Sequence, residues 1–125
     1  MRVFVRSLLA IVILFAASGA SGSALAQDAQ AGAQVFKKCA TCHSTDGTKR
    51  VGPTLAGVIG RQAGSAPGFR YSRAMKGAMV VWDDATLDAY LVAPKAFIPG
   101  NVMAFSGLPQ AEDRANLIAY LNTLK

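Results

Sequence analysis

Cys39-Ala40-Thr41-Cys42-His43 limits what this chain can be more than any other segment. Cys39 and Cys42 are the only cysteines in the 125 residues, and His43 is the only histidine. A disulfide between them would close almost no loop and would add little stability. A thioredoxin-like redox pair belongs in a βαβ setting, and no such pattern surrounds these residues. A tetrahedral zinc site needs further Cys or His ligands, which the chain lacks. The C-x-x-C-H pattern reads instead as a c-type haem attachment. Two thiols on one helical turn are spaced to add to the two vinyl groups of a porphyrin. The next residue, His43, then offers an imidazole to the iron from the same side.

The N-terminus points to the compartment where such a haem is attached. Arg2 and Arg6 give a positive start, and Leu8–Ala17 (LLAIVILFAA) is an apolar run too short to span a bilayer comfortably. Small residues follow, ending in Ala24-Leu25-Ala26, an A-x-A cleavage pattern. Residues 1–26 are therefore expected to be a signal peptide and 27–125 a single domain exported to the periplasm. The competing reading keeps residues 8–17 as a membrane anchor. Without Arg2 and Arg6, eleven Lys and Arg face seven Asp and Glu, a moderately basic balance. That balance suits an acidic protein partner. Export excludes nucleic acid, and no basic run is interleaved with stacking aromatics. A domain this small has a marginal core unless something large and apolar fills it.

The predicted class is all-α. Gly32, Val35, Phe36 and Cys39 recur on one helical face. Asp83 or Asp84 can cap a second helix, with Leu87, Tyr90 and Leu91 on one face and Pro94 as its stop. A third is expected from about Ala111, with Glu112 and Asp113 in the first turn, where the helix dipole favours them, and Leu117, Tyr120, Leu121 and Leu124 at helical spacing. Residues 44–70 hold many glycines and Pro53 and Pro67, and read as irregular loops. So long a loop is unusual in a compact domain, and makes sense if it wraps a rigid non-protein body.

With the sole histidine used, a sixth iron ligand would be a methionine sulfur. Met75, Met79 and Met103 are the candidates, each with core packing as the plain alternative. Position favours Met103, in the turn-rich segment Ile98-Pro99-Gly100-Asn101-Val102-Met103-Ala104-Phe105 between two helices.

The residues closely resemble class I c-type cytochromes, similar to mitochondrial cytochrome c and bacterial cytochrome c2. The likeness covers nearly all of 27–125. It is carried by Gly32-x-x-x-Phe36, the haem motif, Gly52-Pro53-x-Leu55, Gly60-Arg61, Ala66-Pro67-Gly68-Phe69-x-Tyr71 and Trp82. It continues through Tyr90-Leu91, Pro94-Lys95, Ile98-Pro99-Gly100, Met103-x-Phe105 and Arg114-x-x-Leu117-Ile118-Ala119-Tyr120-Leu121. The resemblance implies Met103 as sixth ligand and Gly32 and Phe36 packed on Tyr120. It implies the Pro53 carbonyl on the second ring nitrogen of His43, fixing the tautomer. It also implies Arg61, Tyr71 and Trp82 around a haem propionate, and Tyr90 aimed at the methionine sulfur. Asn101 stands where the family often has a threonine near a propionate, and its amide can serve there. Met75 stands where an asparagine is common, and Val102 and Pro109 where mitochondrial members carry docking lysines; Lys38 and Lys95 remain.

The expected function is one-electron transfer by a soluble, monomeric carrier, not an enzyme. Its haem c would be bound by His43 and Met103, a ligand pair that raises the reduction potential. By resemblance, its donor is a quinol-oxidising complex and its acceptor an oxidase or reaction centre. Lys37, Lys38 and Lys95 are the expected contacts for an acidic redox partner. The rival is a haem enzyme or gas sensor with a labile sixth ligand; it needs a distal acid–base group, and none is visible.

Overall fold

A computed structural model describes residues 27–125. The expected leader and its cleavage site lie outside the described residues. Within them are five helices: α1 (Ala29–Phe36), α2 (Arg73–Lys76), α3 (Asp84–Val92), α4 (Pro94–Phe97) and α5 (Ala111–Asn122). They form no sheet; one isolated bridge joins Gln62 and Val81. Among these helices none is long and apolar enough to cross a membrane.

The two ends of the domain meet. Asp28 caps α1, its carboxylate accepting from the Gln30 and Ala31 N–H groups at 2.8 and 3.1 Å. Its own N–H donates across to Asn116 Oδ1 on α5 at 2.9 Å. Gly32 and Phe36 form the buried face of α1. A Cβ on Gly32 would lie 1.9 Å from the Asn116 carbonyl oxygen, so the two helix backbones touch there. Phe36 packs on Tyr120 with ring centroids 5.2 Å apart, as the resemblance implies. From α5, Asn116, Leu117, Ile118 and Leu121 are buried.

Asp83 caps α3 in a reciprocal box with Thr86. Leu87, Tyr90 and Leu91 are the buried residues of α3, the face that the periodicity predicts. Arg114 of α5 crosses to Asp88 of α3, Nε to Oδ1 at 2.7 Å, and also donates to the Leu108 and Pro109 carbonyls. One guanidinium thus joins two helices and the end of the loop between α4 and α5.

Three local details differ from the sequence reading. The apolar face of the first helix runs on to Cys39, but α1 ends at Phe36. The chain then tightens into three-residue turns, with Cys39 N–H on Phe36 O at 2.8 Å and Cys42 N–H on Cys39 O at 3.0 Å. Pro94 does stop α3, and it also opens α4 as its first residue, a position where its missing N–H costs nothing. α2, capped by the Ser72 hydroxyl, is a single turn too short to show any periodicity. Residues 44–70 contain no helix or strand. Their backbone is tied to neighbouring segments instead, as in Gly60 N–H to Trp82 O at 2.7 Å and Ala63 N–H to Val80 O at 2.7 Å.

Candidate haem site

The helices and the long loops leave a cavity of about 410 Å³ in the middle of the domain, in the size range of sites that hold small molecules and cofactors. Its walls are mainly apolar, from Val58, Leu87, Leu91, Phe105, Leu117 and Leu121 among others. Cys39, Cys42, His43 and Met103 all open onto it.

The two cysteines are half-buried in the turns after α1 and are not joined in a disulfide. Burial pushes the Cys39 thiol above its ordinary pKa; Lys38 pulls it back and Cys42 pushes it further up. His43 Nδ1 lies 2.7 Å from the Pro53 carbonyl oxygen. A carbonyl only accepts, so Nδ1 carries the hydrogen and Nε2 keeps its lone pair for a metal. Burial holds the imidazole below its ordinary pKa; the Pro53 bond opposes this and the Arg61 charge adds to it. Neutral imidazole is the form that ligates iron. Gly52 makes room for the ring: a Cβ there would lie 2.5 Å from His43 Cε1. Sequence reading missed that role, although the glycine beside Pro53 was its signal.

Of the three candidate methionines, Met75 and Met103 line the cavity. Met79 lies on the surface, 83% exposed, with a left-handed backbone at φ 53°. The Tyr90 hydroxyl is 3.6 Å from the Met103 sulfur. Burial pushes that hydroxyl up to about 12, against an opposing effect of the Asn101 amide. It therefore stays a neutral O–H donor toward the sulfur at ordinary pH.

Arg61, Tyr71 and Trp82 also line the cavity. Arg61 donates to the Thr54 and Ala56 carbonyls at 2.8 and 3.2 Å, which leaves further N–H groups of its five for an anion. The Tyr71 hydroxyl accepts from the Ala66 N–H at 3.1 Å, so its own hydrogen remains to be donated. Trp82 is buried against Tyr90, centroids 4.9 Å apart. Asn101 lines the cavity too, but its amide is engaged by backbone: Oδ1 accepts from Met103 N–H at 2.8 Å and Nδ2 donates to Pro94 O at 3.0 Å.

These donors fit a haem. Two unpaired thiols at the spacing of the attachment motif, an imidazole with its outer nitrogen free and a thioether surround one apolar space, with a guanidinium at its edge. Among the described residues no group of three His, Cys, Asp or Glu side chains gathers to hold a metal ion by itself.

A family model described as cytochrome c matches residues 29–125. The chain is 56% identical over 98 residues to the cytochrome c-type cyt cy of Rhodobacter capsulatus, covering 78% of this chain but only 49% of that longer protein. It is 51% identical over 100 residues to cytochrome c2 of Rhodomicrobium vannielii, covering 78% of this chain and 80% of the relative. Among solved structures, cytochrome cH from Methylobacterium extorquens superposes with a TM-score of 0.75 at 41% identity, over 77% of this chain and 98% of that one.

Proposed function

This chain belongs to the class I c-type cytochromes, electron-transfer proteins with a covalently bound haem and not enzymes, and on that premise we propose that it is a soluble periplasmic carrier whose haem iron is held by His43 and Met103. The observation that carries this reading is that both cysteine thiols, the His43 imidazole and the Met103 thioether share one apolar cavity. A c-type haem supplies reversible one-electron chemistry at its iron. Cys39 and Cys42 would tether it, and the Pro53 carbonyl, by holding Nδ1 of His43, leaves Nε2 to bind the iron. Tyr90 steadies the Met103 sulfur. Were His43 and Met103 both bound to the iron, no substrate would reach it, and an electron would pass without any bond to it being made or broken. The apolar lining disfavours the added charge of the oxidised state, which raises the potential in the same direction as the methionine ligand. Arg61, Tyr71 and Trp82 are the proposed propionate contacts.

Visible spectroscopy of the purified protein tests the ligand set. The expected result is a low-spin c-type spectrum, unmoved by carbon monoxide when reduced, with a weak far-red sulfur–iron band when oxidised. A CO-shifted spectrum would favour the enzyme or gas-sensor reading instead.

The proposed partners are membrane complexes, a quinol-oxidising donor and an oxidase or reaction centre as acceptor, met by a monomer. Lys37 and Lys38 are exposed beside the haem motif, and Lys95 is exposed on α4. They suit a weak, charge-steered encounter with an acidic surface. Turnover with such a partner is expected to slow as salt is raised from low to physiological strength; a rate indifferent to salt rejects steering. Export rests on the leader, so the mature protein is expected to begin at Gln27. An intact mass that retains residues 1–26 would mean an anchored carrier.

A further inference from the structure

Asn101 is one of three buried polar residues in the domain, at 5% exposure. A buried amide is costly unless its hydrogen bonds are made, so the partners it takes show what it fixes. Its Oδ1 accepts from the N–H of Met103, two residues on, a local turn of the kind asparagine favours. Its Nδ2 reaches back to the carbonyl of Pro94, the fully buried first residue of α4. Pro94 O also accepts the Ile98 N–H at 3.0 Å, so the same anchor holds the start of the loop.

Further along, the loop is held by core packing of Met103 and Phe105 and by the Leu108 N–H on Leu91 O at 2.7 Å, but no other side chain bonds the Met103 backbone among the described residues. No regular structure spans residues 101–110. The neighbouring Val102 is 77% exposed and contributes little packing. The Tyr90 hydroxyl reaches the sulfur at 3.6 Å but does not bond the Met103 backbone. Asn101 thus ties the Met103 backbone to Pro94.

We propose that Asn101 is a positioning residue for the sixth ligand, clamping the Met103 backbone to the buried start of α4 so that the thioether stays in the haem cavity. Each polar atom of the amide holds a backbone partner, and the second Nδ2 hydrogen is left for a propionate, so the clamp is compatible with that contact. The inference rests on the proposed ligation by Met103.

The test is imidazole binding to the oxidised holoprotein, followed by loss of the far-red band, in wild type, Asn101→Ala and Asn101→Thr, with denaturant midpoints measured alongside. An entering ligand binds only the fraction in which Met103 has left, so its apparent affinity reports that fraction. Asn101→Ala is expected to bind imidazole roughly three- to tenfold more tightly, the worth of about one net hydrogen bond. Asn101→Thr keeps a side-chain acceptor for the Met103 N–H and is expected to fall between Ala and wild type. If Asn101→Ala does not fold, Asn101→Thr against wild type carries the test, with faster exchange of the Met103 amide hydrogen as a second readout. A variant that loses stability but binds imidazole as wild type does would assign Asn101 to the fold alone and overturn the inference. A wild-type protein with no far-red band would instead reject the ligation reading itself.

Discussion

Met103→Ala is expected to turn an iron closed to small molecules into one that binds carbon monoxide. The substitution removes the proposed sixth ligand and leaves the rest of the attachment intact, since Cys39, Cys42, His43 and the Pro53 carbonyl lie on other segments. Tyr90 loses its sulfur acceptor but is held by its packing against Trp82 and Phe97, with ring centroids 4.9 and 6.1 Å away. Three readouts move together: the far-red band vanishes, the reduced spectrum shifts under carbon monoxide, and the potential falls because a thioether ligand no longer favours the reduced metal. Met75 supplies the control, being the other methionine on the cavity wall. Met75→Leu conserves volume and is expected to cost under about 1.5 kcal/mol while keeping the band. The reverse pattern, a band lost with Met75→Leu and kept with Met103→Ala, would exchange the two assignments.

Gly32→Ala is expected to be among the most damaging single substitutions in the domain. The added Cβ would sit 1.9 Å from the Asn116 carbonyl oxygen, 2.6 Å from its carbon and 2.8 Å from Tyr120 Cβ. None of these is the end of a flexible side chain, so α1 and α5 must move apart. Parting them strains the Asp28–Asn116 hydrogen bond and the Phe36–Tyr120 contact as well. The cost is expected to reach about 3 kcal/mol or more, at the upper end for an overpacked core site. Urea unfolding followed by circular dichroism measures it. Gly77→Ala is the comparison: its Cβ would meet nothing nearer than 3.4 Å, and it is expected to stay within roughly 0.5 kcal/mol, as surface changes usually do. Equal losses in the two variants would mean that close approach of the end helices does not govern stability.

How much of this was legible beforehand follows from how local each signal is. Leu87, Tyr90 and Leu91 revealed the buried face of α3, and the pair Asp83 and Asp84 its start, because periodicity and capping are written within a few residues; the structure makes Asp83 the cap. Cys39, Cys42 and His43 declared a cofactor for the same reason: the chemistry needs those groups at that spacing. Gly32 and Phe36 against Tyr120 came from family likeness and not from any local pattern. α2 and α4 escaped notice, since a single turn cannot display a period.

Residue order alone carried an α-helical domain, a two-thiol attachment motif with an adjoining imidazole, and the lack of a second histidine, from which a methionine sulfur is the expected sixth ligand. Tertiary structure alone decided which methionines face the cavity, sending Met79 outward and bringing Met75 and Met103 in. It also decided that Gly52 makes space for His43 and that the Asn101 amide is taken up by Met103 and Pro94. Those outcomes depend on the paths of irregular loops, which leave no repeating trace in the order of residues.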